Sequence, residues 1–261
     1  LSFGGSLGAK CINKAVADVM AWHWNKGILY HYHATGKGDS SWMPDYVRSL
    51  GVDLARSPMI RMTEYIGRFR AVIFTPDHLS LVKGSPENRR RFLDLAICQS
   101  FPRYASCLSE YNKILAQKNA LLKKGKVVDE LLEVYNERLA TLAAVITVNR
   151  RKYVTKLEEE AKKFLFDMSG SREELKLVYQ SQAGEAETQD EIKEKYREIF
   201  SEKMQFEKDK FFCFYGSHRD DFSVTVNKKS VKAYASQGQQ RSVVLALKLA
   251  EGELSAKLTG E

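Results

Sequence analysis

An α/β fold with a dominant helical lobe and a short β-hairpin ahead of its last helix is what this chain predicts, on three observations. Between Pro102 and Phe166, apolar residues recur at three-and-four spacing, the period of helices with one buried face. Phe222, Val224 and Val226 alternate with Ser223 and Thr225, which marks a half-buried strand. After residue 240 the run VVLALKLAEGEL sets Val243, Val244, Leu247, Leu249, Ala250 and Leu254 on a largely one-faced stripe.

Taken in order, residues 1–57 stand apart. They hold all 3 tryptophans, 3 of the 5 histidines and 7 of the 16 glycines, but no glutamate, so a boundary is expected near Ser57 and Pro58. The glycine clusters FGGSLGAK and HATGKGDS both lack the G-x-x-x-x-G-K-[ST] spacing that wraps amides around phosphates. His23, His31 and His33 have no further ligand types around them and read as an incidental cluster rather than a metal site.

Residues 62 to 83 combine a short helix, MTEYIGRF, with a buried strand, RAVIF, closed by Pro76. Ser85 and Pro86 then have the form of an N-cap and first helical residue, which places Arg89, Arg90 and Arg91 around the first turns of a helix. Positive charge there opposes the helix dipole, so an anion is expected to compensate. That anion is either a DNA phosphate, making the three arginines candidate DNA contacts, or an internal carboxylate such as Asp94 one turn on.

Two long amphipathic helices broken near Gly125 account for the pattern that follows, with Leu108, Tyr111 and Leu115 in the first and Val128, Leu131, Leu139 and Ile146 in the second. Such a stripe is core, and Lys123, Lys124 and Lys126 sit in the solvated turn between the helices. Residues 181–195 read as a polar surface loop running into a further helix, EIKEKYREIFSEKMQ. FFCFY, residues 211–215, is expected to be a strand. Arg219, Asp220 and Asp221 form a charged knot read as an ion pair or turn, and His218 as a hydrogen-bonded turn residue. NKKS turns the 222–226 strand toward VKAYA, so a hairpin delivers the segment Ser236-Gln237-Gly238-Gln239-Gln240-Arg241 to the start of the last helix.

That segment carries two readings. Ser236 and Gln239 spell a capping box, S-x-x-Q, which needs no ligand. The same helix opening at Ser236 offers first-turn amides and a dipole to an anion, and Gly238 lets a phosphate approach the backbone. The candidate phosphate-binding residues are therefore Ser236, Gln237, Gly238 and Gln239.

Composition sets the frame. With 261 residues, 44% hydrophobic and 28% charged, the chain can bury a sizeable core, and no stretch approaches the apolar length of a membrane span or a secretory leader, so a cytoplasmic protein without membrane contact is expected. Cys11, Cys98, Cys107 and Cys213 are scattered with no CxxC pair, as reduced thiols would be. The formal charge is +8, and removing the 6 basic and 4 acidic residues of positions 1–57 leaves 35 minus 29, or +6. That excess suits nucleic acid without requiring it.

Three stretches in one order resemble the RecF family of bacterial DNA-repair proteins, whose heads belong to the ABC and SMC class of ATPases. SQGQQRSVVLALKLAE is similar to the family's signature segment, YGSHRDDF to its G-P-H-R-D-D element, and FTPDHLSLVKGSPENRRRFLD to its F-S-P-D-D-L element; softer matches lie at RYASCLSEYNKILAQKNALLK and ELKLVYQSQ. Ser217, His78 and Ser242 depart from the usual proline, aspartate and threonine. The resemblance covers about residues 62 to 261 and implies a partial ABC/SMC-type ATPase head. Its divisions would be a non-matching start at 1–57, divergent or mistranslated, a helical lobe at 58–208, and a hairpin with signature helix at 209–261.

The resemblance also implies a mechanism. ATP and Mg2+ are held by Walker A and B motifs of one subunit, and Ser236, Gln237, Gly238 and Gln239 contact the γ-phosphate in trans across an ATP-dependent homodimer. Expected partners are single-stranded and gapped or junction DNA, with RecR, RecO and RecA as functional partners in DNA repair, replication and the SOS response. Neither Walker motif occurs in the chain, which stops at LTGE where the family continues into Walker B. No hydrolysis is therefore expected of this polypeptide alone, and no catalytic or metal-binding residue is assigned. The alternatives are a non-catalytic DNA-binding scaffold and, against the short helical region, an SMC-like structural protein.

Overall fold

The computed structural model describes residues 76–125 and 128–259, with 72 and short stretches of the first 52 residues (2–3, 14–15, 17–19, 21–22, 33–34 and 42–52). The expected helix MTEYIGRF, the strand RAVIF apart from Val72, Cys11, His23, His31 and Lys126 lie outside the described residues. The chain divides into two units, Leu1–Arg61 and Met62–Glu261, four residues past the break expected at 57. In the first, strands β1 (Ser2–Phe3) and β2 (His33–Ala34) pair in parallel, and helix α1 (Met43–Ser49) buries Met43 and Val47 in a small cluster with Ala17 and Val52.

The second unit is a helical body carrying a small antiparallel sheet. A 3-10 turn at Pro76–Leu79 leads into α2 (Ser80–Lys83), α3 (Pro86–Ser100) and α4 (Pro102–Leu122). Both α3 and α4 begin on proline, whose fixed φ and missing N–H suit a helix's first turn. Gly125, at φ +74°, lies in the turn to α5 (Asp129–Met168), a 40-residue helix ~60 Å long at 1.5 Å per residue. Leu139, Ala143, Ile146, Leu157 and Ala161 of α5 are fully buried and form the spine of the core. At its start the buried face is set one residue from the expected stripe: Leu132 and Asn136 are inside, while Val128 and Leu131 are exposed.

Strand β3 (Leu175–Gln180), helix α6 (Gln189–Lys210), strand β4 (Asp221–Val226), strand β5 (Lys229–Ser230), helix α7 (Val231–Tyr234) and helix α8 (Gln237–Thr259) complete the unit. A full capping box, Thr188 with Glu191, starts α6 at Gln189, so the last seven residues of the loop expected at 181–195 are helical instead. β4 lies between β3 and β5, with Leu177 opposite Val224 and Leu175 opposite Val226. The boundary expected at 208 thus falls inside one sheet-and-helix body. Asn227 and Lys228, both at positive φ (49° and 66°), make the tight β4–β5 turn, the twist that two-residue hairpins favour. VKAYA continues as a helical turn rather than a long strand. Among the described residues no helix is long and apolar enough to cross a membrane.

FFCFY forms no strand. Phe211 ends α6 in the left-handed region, and the following N–H groups find side chains instead of a neighbouring strand. Asn119 Oδ1 accepts from Cys213 N–H at 2.7 Å, Glu207 Oε1 from Phe214 and Tyr215 N–H at 2.8 and 3.2 Å, and Gln182 Oε1 from Gly216 N–H at 2.8 Å. With those donors satisfied locally, the pressure to join the sheet is gone.

Candidate phosphate-binding site

Helix α8 begins at Gln237, one residue after Ser236, because Ser236 is its cap. Ser236 Oγ accepts from Gln239 N–H at 3.2 Å and Gln239 Oε1 accepts from Ser236 N–H at 2.9 Å, the reciprocal pair of a capping box. Gln239 Nε2 then donates to Glu173 Oε1 at 2.7 Å, tying this turn to the entry of β3. Gln240 is buried and donates to the Ala235 carbonyl at 3.0 Å, so the turn between α7 and α8 is held from inside.

The capping box accounts for two of the four orphan amides that open a helix, those of Ser236 and Gln239. Gln240 N–H donates to the Ser236 carbonyl at 2.9 Å, while the N–H groups of Gln237 and Gly238 meet no acceptor among the described residues. Ser236, Gln237 and Gly238 are exposed. A Cβ placed on Gly238 would meet nothing closer than Ser236 Oγ at 3.9 Å, so nothing within the chain requires glycine there. The capping box is present, and it leaves two outward amides and an open approach beside it.

The sequence-predicted arginines part company. Arg89 is 7% exposed and holds Asp221 with two bonds of 2.7 and 2.8 Å, while donating to the Gly84 carbonyl at 3.1 Å. Arg90 donates to the Asp220 carbonyl at 2.8 Å, and burial together with nearby Arg150 lowers its pKa. Arg91 faces solvent. For Arg89 the expected DNA contact is corrected to an internal one: its charge compensates the aspartate knot across the fold. Asp94, the carboxylate expected to serve one of these three, instead takes both bonds of Arg150, each 2.8 Å. Sequence reasoning missed Arg150, which lies mid-helix among α5's surface-type residues.

The knot is structural in detail. Asp220, 1% exposed, accepts from Tyr179 Oη at 2.7 Å, Thr147 Oγ1 at 3.2 Å and Gln182 N–H at 3.2 Å, with burial still raising its pKa. His218 sits between the Tyr111 hydroxyl (2.8 Å to Nδ1) and the Cys213 carbonyl (3.2 Å to Nε2), which assigns Nε2–H as donor and Nδ1 as acceptor in a neutral ring. Burial brings its pKa down to about 4. The free thiols Cys98 and Cys107 are pushed up to about 11 and Cys213 to about 12, burial being the main cause. Among the described residues no cluster of His, Cys, Asp and Glu is arranged to hold a metal ion.

No family model matches the chain. It is 40% identical over 206 residues to the DNA replication and repair protein RecF of Exiguobacterium sp., covering 77% of this chain and 55% of the relative. The chain carries a RecF-like segment. RecF of Alkaliphilus oremlandii is 40% identical over 208 residues, covering 78% and 56%, and RecF of Staphylococcus carnosus 39% over 207. A solved structure of the recombination mediator protein RecF-ATPrS in the RecFOR pathway superposes with a TM-score of 0.74 at 35% identity, covering 78% of this chain and 56% of that one. A second, of RecF-ATP, gives 0.72 at 36% identity. The chain spans just over half the length of the RecF relatives it matches. The architecture is that of a partial RecF-type head: a dominant helical lobe with a hairpin before the last helix.

Proposed function

We propose that this chain works in DNA repair and replication as the lobe of a RecF-type head that carries the phosphate sensor. The outward amides of Gln237 and Gly238, with the Ser236 hydroxyl and the Gln239 side chain beside them, would receive the γ-phosphate of ATP held by a second RecF-type subunit. The observation that carries this reading is Gly238, which occupies an exposed first turn that its own fold leaves open to any side chain. Glycine has low helix propensity, so its presence there is unfavourable unless something must come close. The names of the similar solved structures, with ATP and an ATP analogue, support the choice of ligand.

Fixed amides and a dipole favour the extra charge of a triphosphate over a diphosphate, so association would hold before hydrolysis and relax after it. Mg2+ and the hydrolytic groups would be supplied by the nucleotide-holding subunit, since the described residues contain no ligand cluster for the ion. Engagement of gapped or junction DNA, RecR and RecO association, RecA loading and an SOS role belong to the same proposal, resting on the naming of the relatives.

The test is association of the purified chain with a full RecF protein from one of these relatives, followed by sedimentation with ATPγS and with ADP. Binding is expected with ATPγS only, and Ser236→Arg should abolish it. Gly238→Ala should leave or slightly raise thermal stability while weakening association at least tenfold. Nucleotide-independent association, or a Gly238→Ala protein that associates normally, would overturn the reading. ATP turnover by the chain alone should not exceed background.

A further inference from the structure

Away from the α8 opening, the end of α6 and the loop after it place four phenylalanines at one surface. Phe206, Phe211 and Phe214 are 43%, 49% and 37% exposed, and Phe212 is half-buried. They pack edge to face: Phe206 on Phe214 at 5.7 Å between centroids, Phe212 on Phe214 at 5.4 Å. Arg219 lies 5.5 Å from the ring centres of both Phe212 and Phe214, and Lys210 lies 5.9 Å from that of Phe206. The α4–α5 turn borders the patch, since a Cβ on Gly125 would touch Phe211 Cε1 at 3.4 Å, and Lys123 and Lys124 of that turn are exposed. None of these four cations has a carboxylate partner among the described residues. Glu202 and Asp209 are the nearby acids on α6, and Asp209 accepts from Gln205.

The rings are held there by buried chemistry. Lys118 and Glu207, each 1% exposed, pair at 2.5 Å, and Glu207 with Asn119 accepts the N–H groups of Cys213, Phe214 and Tyr215. Phe211 adopts φ +56°, a strained conformation for a bulky residue. A fixed apolar anchor rimmed by cations is the composition of a protein-binding hot spot, and its rigidity lowers the entropic cost of docking.

We propose that this patch docks a protein segment in which carboxylates flank an apolar or aromatic side chain. The side chain would enter among the Phe edges and the carboxylates would meet Arg219, Lys210, Lys123 and Lys124. Base stacking from a nucleic acid fits less well: the faces of Phe206, Phe212 and Phe214 are approached by cations and the rings are mutually tilted at 62° and 71°, so they offer no parallel platform. The proposal does not rest on the phosphate reading.

An array of random 12-residue peptides probed with the full chain, beside anisotropy titrations with labelled oligothymidylate, tests it. Peptides with Asp or Glu around Phe, Leu or Trp should be enriched. The best of them should lose at least tenfold affinity with Phe206→Ser/Phe214→Ser, lose several-fold with Arg219→Glu, and weaken as salt rises, in proteins whose circular dichroism is unchanged. No enrichment, enrichment without acids, binding indifferent to these substitutions, or oligothymidylate binding through the same residues would each overturn it.

Discussion

At Gly216, backbone and side chain leave one residue type. Its φ of +129° and ψ of 175° belong to a region open essentially to glycine, and a Cβ there would lie 2.4 Å from the Tyr111 hydroxyl. Gly216→Ala should cost about 2–4 kcal/mol, combining backbone strain with displacement of a buried tyrosine, as a fall in urea midpoint would report. The neighbouring His218 sets a pH dependence. Its pKa drops from the ordinary 6.5 to about 4 on folding, so the unfolded chain binds the extra proton first and stability falls as pH falls from 6.5 toward 4. The full effect is about 3 kcal/mol. Asp220, raised by burial, acts in the opposite sense, gaining stability on acidification. Denaturant unfolding across that window should therefore show a slope that His218→Gln flattens; an equal slope in the variant would remove His218 as its source.

At the scale of elements, the sequence was most legible where period and local signals agree. Pro86 and Pro102 start their helices, Gly125 interrupts the long pair, and Phe222, Val224 and Val226 point inward as alternation requires. The Ser236–Gln239 box was equally readable, being wholly local. What could not be read were the long-range partners. FFCFY has strand composition, but two side chains, Asn119 far off in sequence and Glu207 about two helical turns back, take the amides of Cys213, Phe214 and Tyr215. Arg89 looked like an anion-seeking cation because its aspartate lies 132 residues later. Glu207 is the main prop of the 211–215 loop, accepting two amides with one oxygen and pairing with buried Lys118 through the other. Glu207→Ala should cost about 3–5 kcal/mol, since it leaves a buried ammonium and two amides unsatisfied. Lys118→Met/Glu207→Gln should recover part of that loss, and a double variant no better than the single would show that the charge pair contributes little to the loop.

Across the whole molecule, charge is arranged unevenly rather than merely in excess. Exposed pairs such as Arg138 with Glu110 and Arg197 with Glu137 neutralise one another and contribute little to stability, and residues 58–261 carry a net +6. If the proposed DNA contact is made by this surface, affinity for a gapped duplex should fall linearly on a log–log plot against salt, with a slope of about −0.9 for each phosphate neutralised. Arg91 and Arg89 then separate a contact from a support. Arg91→Ala should reduce that slope by about 0.9 with no change in melting temperature, because its side chain lies in solvent. Arg89→Ala should instead lower the melting temperature, because Asp221 loses both bonds from the guanidinium while the DNA-facing charge stays in place. An Arg91→Ala protein whose salt slope matches the parent would take Arg91 out of any DNA surface.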